Sequence, residues 1–369
     1  MKLKYLLGIM LLVIFCIITL PACNTPSEKS NSIIDDDQSE VSQTRIIKDL
    51  SGNDIAVPYA KDIEKVIIVA PPYLSFFLSV VQQPEMVVGA HPGAFNMANP
   101  ELLKIMMPNQ GSVNTQFLDG FKSNTEEVLL MDPDIIFIYG EFQREGLEKV
   151  DIPIVNLQES TGANVESSSL GIVNLMRDIF EIKGDNLFQK EWEQSNKLAK
   201  EVFEKNKKNE QQRGLVVFSN TSGTITVRGV GSFGDDWLKT SGLINVVEMQ
   251  GDNLEVSMED IYNWDPDIIY TMGPVGAETM IANQAEGQDW SYVNAFKSER
   301  IYDIPESLTK WHAGSPDAPL TLLWMLSKNF PDDFSEEEYN EKMKQYYKNN
   351  YSIELTDSLL ESILYPIRN

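Results

Sequence analysis

The chain carries two histidines, His91 and His312, and two cysteines, Cys16 and Cys23. A neutral imidazole is a competent ligand for iron, cobalt or nickel. His91 and His312 are therefore candidate metal ligands, with a phenolate from Tyr73 or Tyr139 as a further donor. Either histidine could equally serve its own loop by bonding to backbone. No His pair stands at zinc-site spacing, so a bare zinc centre is not indicated. Arg228 offers planar, forked donors that stay charged, suited to a buried anion, which needs a partner; Lys310 is a second cation of this kind. Trp237 and Trp311 could stack on a flat ring or fill the core. Catalytic signatures are missing: there is no G-x-S-x-G elbow, no Walker loop and no H-E-x-x-H. Glycine-rich Arg228–Gly234 follows polar Thr224–Arg228 rather than a buried first strand, which sets it aside as a dinucleotide turn.

The elements that must position these residues are announced by a repeat. Residues 131–140 read MDPDIIFIYG and residues 264–273 read WDPDIIYTMG. Upstream, Asn124 and Ser257 can cap a helix, each with a Glu two positions later. A short helix follows, with Val128 and Leu129, or Ile261 and Tyr262, expected on its inner side. Asp-Pro stops it, an apolar strand of the kind buried in parallel sheets comes next, and Gly140 or Gly273 ends it. Strands are also expected at 65–70, 86–89 and 214–219, with helices at 74–81 and 234–242 and a polar loop after 219. This alternation predicts an α/β fold: two Rossmann-like lobes with central parallel sheets. Residues 186–209 have helical periodicity and no Gly or Pro, predicting one long α-helix that joins a lobe at 44–185 to a lobe at 210–369. A stiff helix is a poor hinge, so closure should be modest. Ligands of open α/β sheets bind beyond the carboxyl ends of the strands. That rule gathers Tyr73, His91, Asn114 and Tyr139 from the first lobe, and Asn220, Arg228, Trp237, Trp311 and His312 from the second, around one interlobe cleft.

The ends and the charge bound the setting. A short basic start and an apolar run from Tyr5 to Leu20 have the length of a secretory signal rather than a membrane span. Residues 1–22 are read as that signal. Leu20-Pro-Ala-Cys23 resembles the lipobox of bacterial lipoproteins, which implies that Cys23 carries lipid. Polar residues 24–43 form a tether too poor in apolar groups to fold alone. With Cys16 removed and Cys23 lipidated, no disulfide is expected. A net charge of −25 excludes the basic footprint that nucleic acid requires.

Taken in order, these features resemble the substrate-binding proteins of bacterial ABC importers for iron chelates, haem and cobalamin. The likeness rests on the lipobox, Ile46–Asn53, Val87–Gly89, both D-P-D units, the connecting helix, Gly229–Gly234, Ser315–Trp324 and Phe330–Phe334, and it covers most of residues 44–369. It implies a lipid-anchored, monomeric receptor on the extracytoplasmic face of the membrane. The receptor would bind its cargo reversibly and pass it to a permease served by a separate ATPase. The implied cargo is an iron-siderophore-like metal chelate, with haem or a corrinoid as the alternative, and no resident cofactor. The family pattern further implies that Glu126 and Glu259 dock to permease arginines; the alternative is that both merely complement the positive ends of their helices. A lipid-anchored sensor or an enzyme is the rival class.

Overall fold

The computed structural model describes residues 43–159, 164–221, 223–311 and 314–367. Cys23, the signal and tether segments, and His312 lie outside the described residues. Among the described residues no helix is long and apolar enough to cross a membrane.

In the first lobe a hairpin of β1 (Thr44–Lys48) and β2 (Asp54–Pro58) precedes β3 (Val66–Ile68), α1 (Tyr73–Val80), β4 (Val87–Ala90), α2 (Pro92–Asn96) and α3 (Pro100–Met106). A small hairpin, β5 (Leu118–Asp119) and β6 (Lys122–Ser123), leads into α4 (Thr125–Met131), β7 (Ile135–Ile138), β8 (Ile154–Asn156) and α5 (Val165–Ile179). The central sheet is all parallel, in the order β4-β3-β7-β8. Helix α6 (Leu187–Asn206) then leads to the second lobe. Its inward face is Phe188, Trp192, Ser195, Ala199 and Val202, spaced by three and four as a helix stripe requires. Leu187, at the start of the helix, is exposed.

The second lobe contains β9 (Arg213–Thr221), β10 (Thr224–Val227), α7 (Phe233–Thr240), β11 (Ile244–Asn245), β12 (Leu254–Val256), α8 (Met258–Trp264), β13 (Ile268–Thr271), α9 (Ala277–Ile281), α10 (Asn294–Lys297) and β14 (Ile301–Asp303). Its sheet runs β12-β10-β9-β13-β14, with β11 beside β9. Here the sequence reading needs correction. The expected polar loop after Ser219 is a hairpin: β10 turns back antiparallel on β9, and β12 pairs antiparallel with β10. The second sheet is therefore mixed around a parallel centre. Gly223, at φ 78°, makes the turn.

The repeat has a mechanical cause. Both short helices end on an Asp in the left-handed region, Asp132 at φ 50° and Asp265 at φ 41°. Two residues on, the second Asp binds the entrance of the neighbouring strand. The Asp134 carboxylate accepts from Glu64 N at 2.7 Å and Lys65 N at 2.8 Å; that of Asp267 accepts from Arg213 N at 2.9 Å. The following isoleucines then enter at matching positions, Ile135 opposite Val66 and Ile268 opposite Gly214. Each D-P-D unit thus sets the register of a central strand. Val128 and Ile261 are buried as expected, whereas Leu129 is exposed and Tyr262 half-buried.

After β14 the chain does not stay with the second lobe. Helices α11 (Ala318–Asn329), α12 (Glu336–Tyr351) and α13 (Asp357–Leu364) share one continuous core with α1, α5 and α6. Asn350 O accepts from Gln82 Nε2 behind α1, and Asn99 before α3 donates from Nδ2 to Ser362 Oγ and from its backbone N to Ser307 O. Where these paths cross lies Asp317, fully buried. Its carboxylate accepts from the hydroxyls of Ser307, Tyr347 and Tyr351, and Trp311 Nε1 in turn donates to Ser307 Oγ at 3.0 Å. Burial pushes the Asp317 carboxyl above its usual value, against the opposing pull of these donors.

Asp317→Ala leaves three hydroxyls to find other partners and should lower the unfolding free energy by about 3 kcal/mol in urea titration. Because the folded pKa is raised, the folded state binds this proton more tightly than the unfolded chain does. The residue's contribution is then largest below the reference value of 3.8 and shrinks as pH rises through the folded pKa. The stability gap between wild type and variant should widen from pH 7 to pH 4.

Candidate functional site: an interlobe cleft at the strand ends

Loops leaving the carboxyl ends of the two sheets touch each other. Asn99, beyond β4, meets Ser307, beyond β14; Val165 N, beyond β8, donates to Asp236 Oδ2 in α7 at 2.8 Å; and a side chain at Gly314 would face Ser168 and Ser169 of α5. Trp192 of α6 stacks on Trp237 of α7, centroids 6.2 Å apart, which seals the join from behind. The candidate cleft is the space in front of this seam.

The first-lobe wall is aromatic. Tyr73, nearly buried, stacks on half-buried Tyr139 at 5.0 Å. Burial, with further contributions from Tyr139 and Glu159, pushes the Tyr73 hydroxyl well up, which makes it a poor phenolate donor. His91 caps α2: its Nδ1 accepts from Gly93 N at 2.9 Å, while a hydrogen bond to the Gly120 backbone opposes the lowering of its pKa by burial. The first of these bonds commits Nδ1 to the loop. As placed, His91 serves its loop through that nitrogen. The ring packs on Phe121 at 4.8 Å, and Phe121 meets Phe142 edge-on at 5.5 Å. Phe121 and Phe142 were missed in the sequence. Phe121 sits in the turn of β5–β6, and Asp119-Gly120 was a legible hairpin signal. Asn114 bridges to β4 at Gly89 and bonds Gln116 N and Glu127, extending the sheet edge.

The second-lobe residues mostly turn inward. Asn220 is buried and pairs with Val275 N and O, while its carbonyl accepts from Gln288. Trp237 and Trp311 are buried in the core, so neither presents a face to a ligand. These three are corrections to the expected ligand set: their side chains brace the loops after β9, β10 and β14. Arg228 lies 3.9 Å over the Phe218 ring, and its Nη1 donates to the Asp252 carbonyl and carboxylate and to Asn253. With Val216, Met272, Trp237 and Trp311 it borders a cramped cavity on one face of the sheet. Lys310 donates to Met272 O at 3.3 Å, with Glu306 3.9 Å away.

Gly229, Gly231 and Gly234 do stand at dinucleotide-fingerprint spacing. However, they follow antiparallel β10, and a side chain at Gly229 would strike Met249 O at 2.2 Å. The glycines are there for close backbone packing. Among the described residues no group of three His, Cys, Asp or Glu could hold a metal ion. Glu126 and Glu259 are exposed in the first turns of α4 and α8, at equivalent places on the two lobes.

Two α/β lobes on one connecting helix, with loops meeting at their strand ends, have the architecture of a bilobal solute-binding protein. The chain belongs to the periplasmic binding protein family, whose sequence pattern matches residues 98–308. It is similar to the molybdate-binding protein MolA of Haemophilus influenzae, 22% identical over 279 residues that span 68% of this chain and 74% of MolA. The solved structure of MolA with molybdate superposes with a TM-score of 0.69 at 18% identity, covering 85% of this chain and 99% of that one. A periplasmic solute-binding protein of Veillonella parvula superposes with a TM-score of 0.73 at 27% identity, covering 87% and 97%. CeuE of Helicobacter pylori, in a nickel–histidine complex, gives 0.65 at 19% identity, covering 88% and 100%. The protein is thus a periplasmic-type solute-binding protein, of a family that binds solutes for transport.

With its pKa lowered by burial, His91 should titrate below the ordinary 6.5 and stay neutral at pH 7. A histidine-ring NMR titration, with His91→Gln to assign the signal, checks this; a midpoint above 6.5 would mean the ring is not held as described.

Proposed function

We propose that this chain is a lipid-anchored receptor, attached through Cys23, that binds an iron-siderophore-like metal chelate reversibly in the interlobe cleft and delivers it to a permease. The observation that carries this reading is the state of Arg228. Its guanidinium is partly compensated by Asp252, which leaves it little positive charge for a compact dianion whose charge no organic shell spreads. An anion desolvated without a partner is strongly disfavoured. The cargo then brings its own metal ligands and an organic surface. The relatives' cargoes, molybdate and nickel–histidine, are both metal species in a ligand shell, which supports the class but not the particular solute. Haem or a corrinoid is the second reading, favoured by the aromatic character of the first-lobe wall.

Native mass spectrometry of residues 24–369 against ferric siderophores, haem, corrinoids, nickel–histidine and molybdate tests this. A one-to-one complex with a ferric chelate is expected; binding of molybdate alone would overturn the reading. Arg228→Ala should weaken an anionic chelate about tenfold, the loss of one charged hydrogen bond, and leave a neutral one nearly unchanged.

Docking is the second half of the proposal. Glu126 and Glu259 offer one carboxylate per lobe at matching positions, and such a pair orients a basic partner more than it adds affinity. Glu126→Ala with Glu259→Ala should leave ligand binding intact and slow uptake in cells; unchanged uptake would remove the docking role.

A further inference from the structure

Phe142 is 61% exposed and Phe121 38%. Rings this large are normally buried, and a contiguous exposed pair marks a place where something else supplies the cover. Their arrangement is built rather than loose. Phe121 is presented by the tight turn at Gly120, φ 57°. Phe142 lies in a 3-10 turn, Glu141–Arg144, that begins at Gly140, φ 92°. A side chain at Gly140 would meet the Phe142 ring at 3.1 Å and Gln158 Oε1 at 2.8 Å. Gly140 is what lets the ring lie back over the end of β7. Phe121 is wedged between Phe142 and the His91 ring, and His91 is itself held by the bond from Gly93 N to its Nδ1. The three rings come from the carboxyl ends of β4 and β7 and from the hairpin tip. The nearest acidic group in sequence, Glu141, is paired with Arg144. The wall is therefore built of fixed rings rich in π faces and edges, and charges beside it are paired, Lys122 with Glu145 as well as Glu141 with Arg144.

We propose that Phe121, Phe142 and His91 form a subsite for a flat, conjugated ring of the cargo, an aryl group of a metal chelate or the face of a macrocycle, which stacks against the exposed Phe142. This rests on the reading of the cleft as a chelate site and adds its selectivity: a chelate with a planar π surface is preferred over one built from saturated chains. Ring stacking adds a modest, geometry-dependent increment to simple burial; truncating both rings should cost about tenfold in affinity.

The test compares wild type with Phe121→Ala/Phe142→Ala, both exposed positions, by tryptophan-fluorescence titration against three probes: a ferric catecholate, a ferric trihydroxamate without aryl groups, and haem. The double variant is expected to lose about tenfold toward whichever of the catecholate or haem the wild type binds, which also identifies the source of the ring, while any trihydroxamate binding is unchanged. Equal catecholate or haem affinity in the two proteins would overturn the subsite, and reduced cellular uptake alongside that equality would assign the rings to the permease instead. Wild type that binds only the trihydroxamate leaves the chelate reading standing and overturns the subsite. Wild type that binds none of the three removes both.

Discussion

The structure turns on a carboxyl group in a place without water. Asp317 gathers the hydroxyls of Ser307, Tyr347 and Tyr351, and those residues belong to two different parts of the chain: the loop after β14 and the last turns of α12. Because an unpaired buried hydroxyl is costly, the acid and its donors hold each other in register. Ser307 then passes the constraint on, since its carbonyl receives the backbone N–H of Asn99 in the first lobe. The loop carrying Lys310 and Trp311 to the cleft is thereby tied to both lobes. It behaves as part of the frame.

A cleft framed in this way differs from one hinged on a single rod. Helix α6 does join the lobes, but the seam is also closed by the Trp192–Trp237 stack and by helices α11–α13, which share a core with α1 and α5. Opening the lobes would expose that shared apolar surface to water. The proposed site would correspondingly be pre-formed, with an aromatic side rooted in the parallel sheet of the first lobe and the Arg228 guanidinium, paired with Asp252, on the other.

Much of this was legible in the chain where the cause is local. The D-P-D repeat identified the central strands because the left-handed Asp, the proline and the capping carboxylate act within a few residues. The long helix was readable from its helical periodicity and its lack of Gly and Pro. The Ser222-Gly223 and Asp119-Gly120 dipeptides were hairpin signals, overlooked because the strands beside them are short or polar. The site was harder because exposure is not local. Nothing near Trp237 and Trp311 in sequence says that α6 and α11 will cover them, and nothing near Phe121 and Phe142 says that they will stay bare. The commitment of His91 Nδ1 to Gly93 likewise needed the fold.

The return of α12 and α13 to the first lobe has a consequence for how such a protein is made. The first lobe is complete in sequence by Ile179, yet α1 and α3 are covered by partners near Asn350 and Ser362. Contacts so distant along the chain form late and slowly. Until the last few dozen residues emerge, the earlier part lacks its cover and cannot lock. A polypeptide that must be threaded through a membrane before it functions outside gains from that delay: it remains pliable in transit, and the final helices act as the latch that ends it.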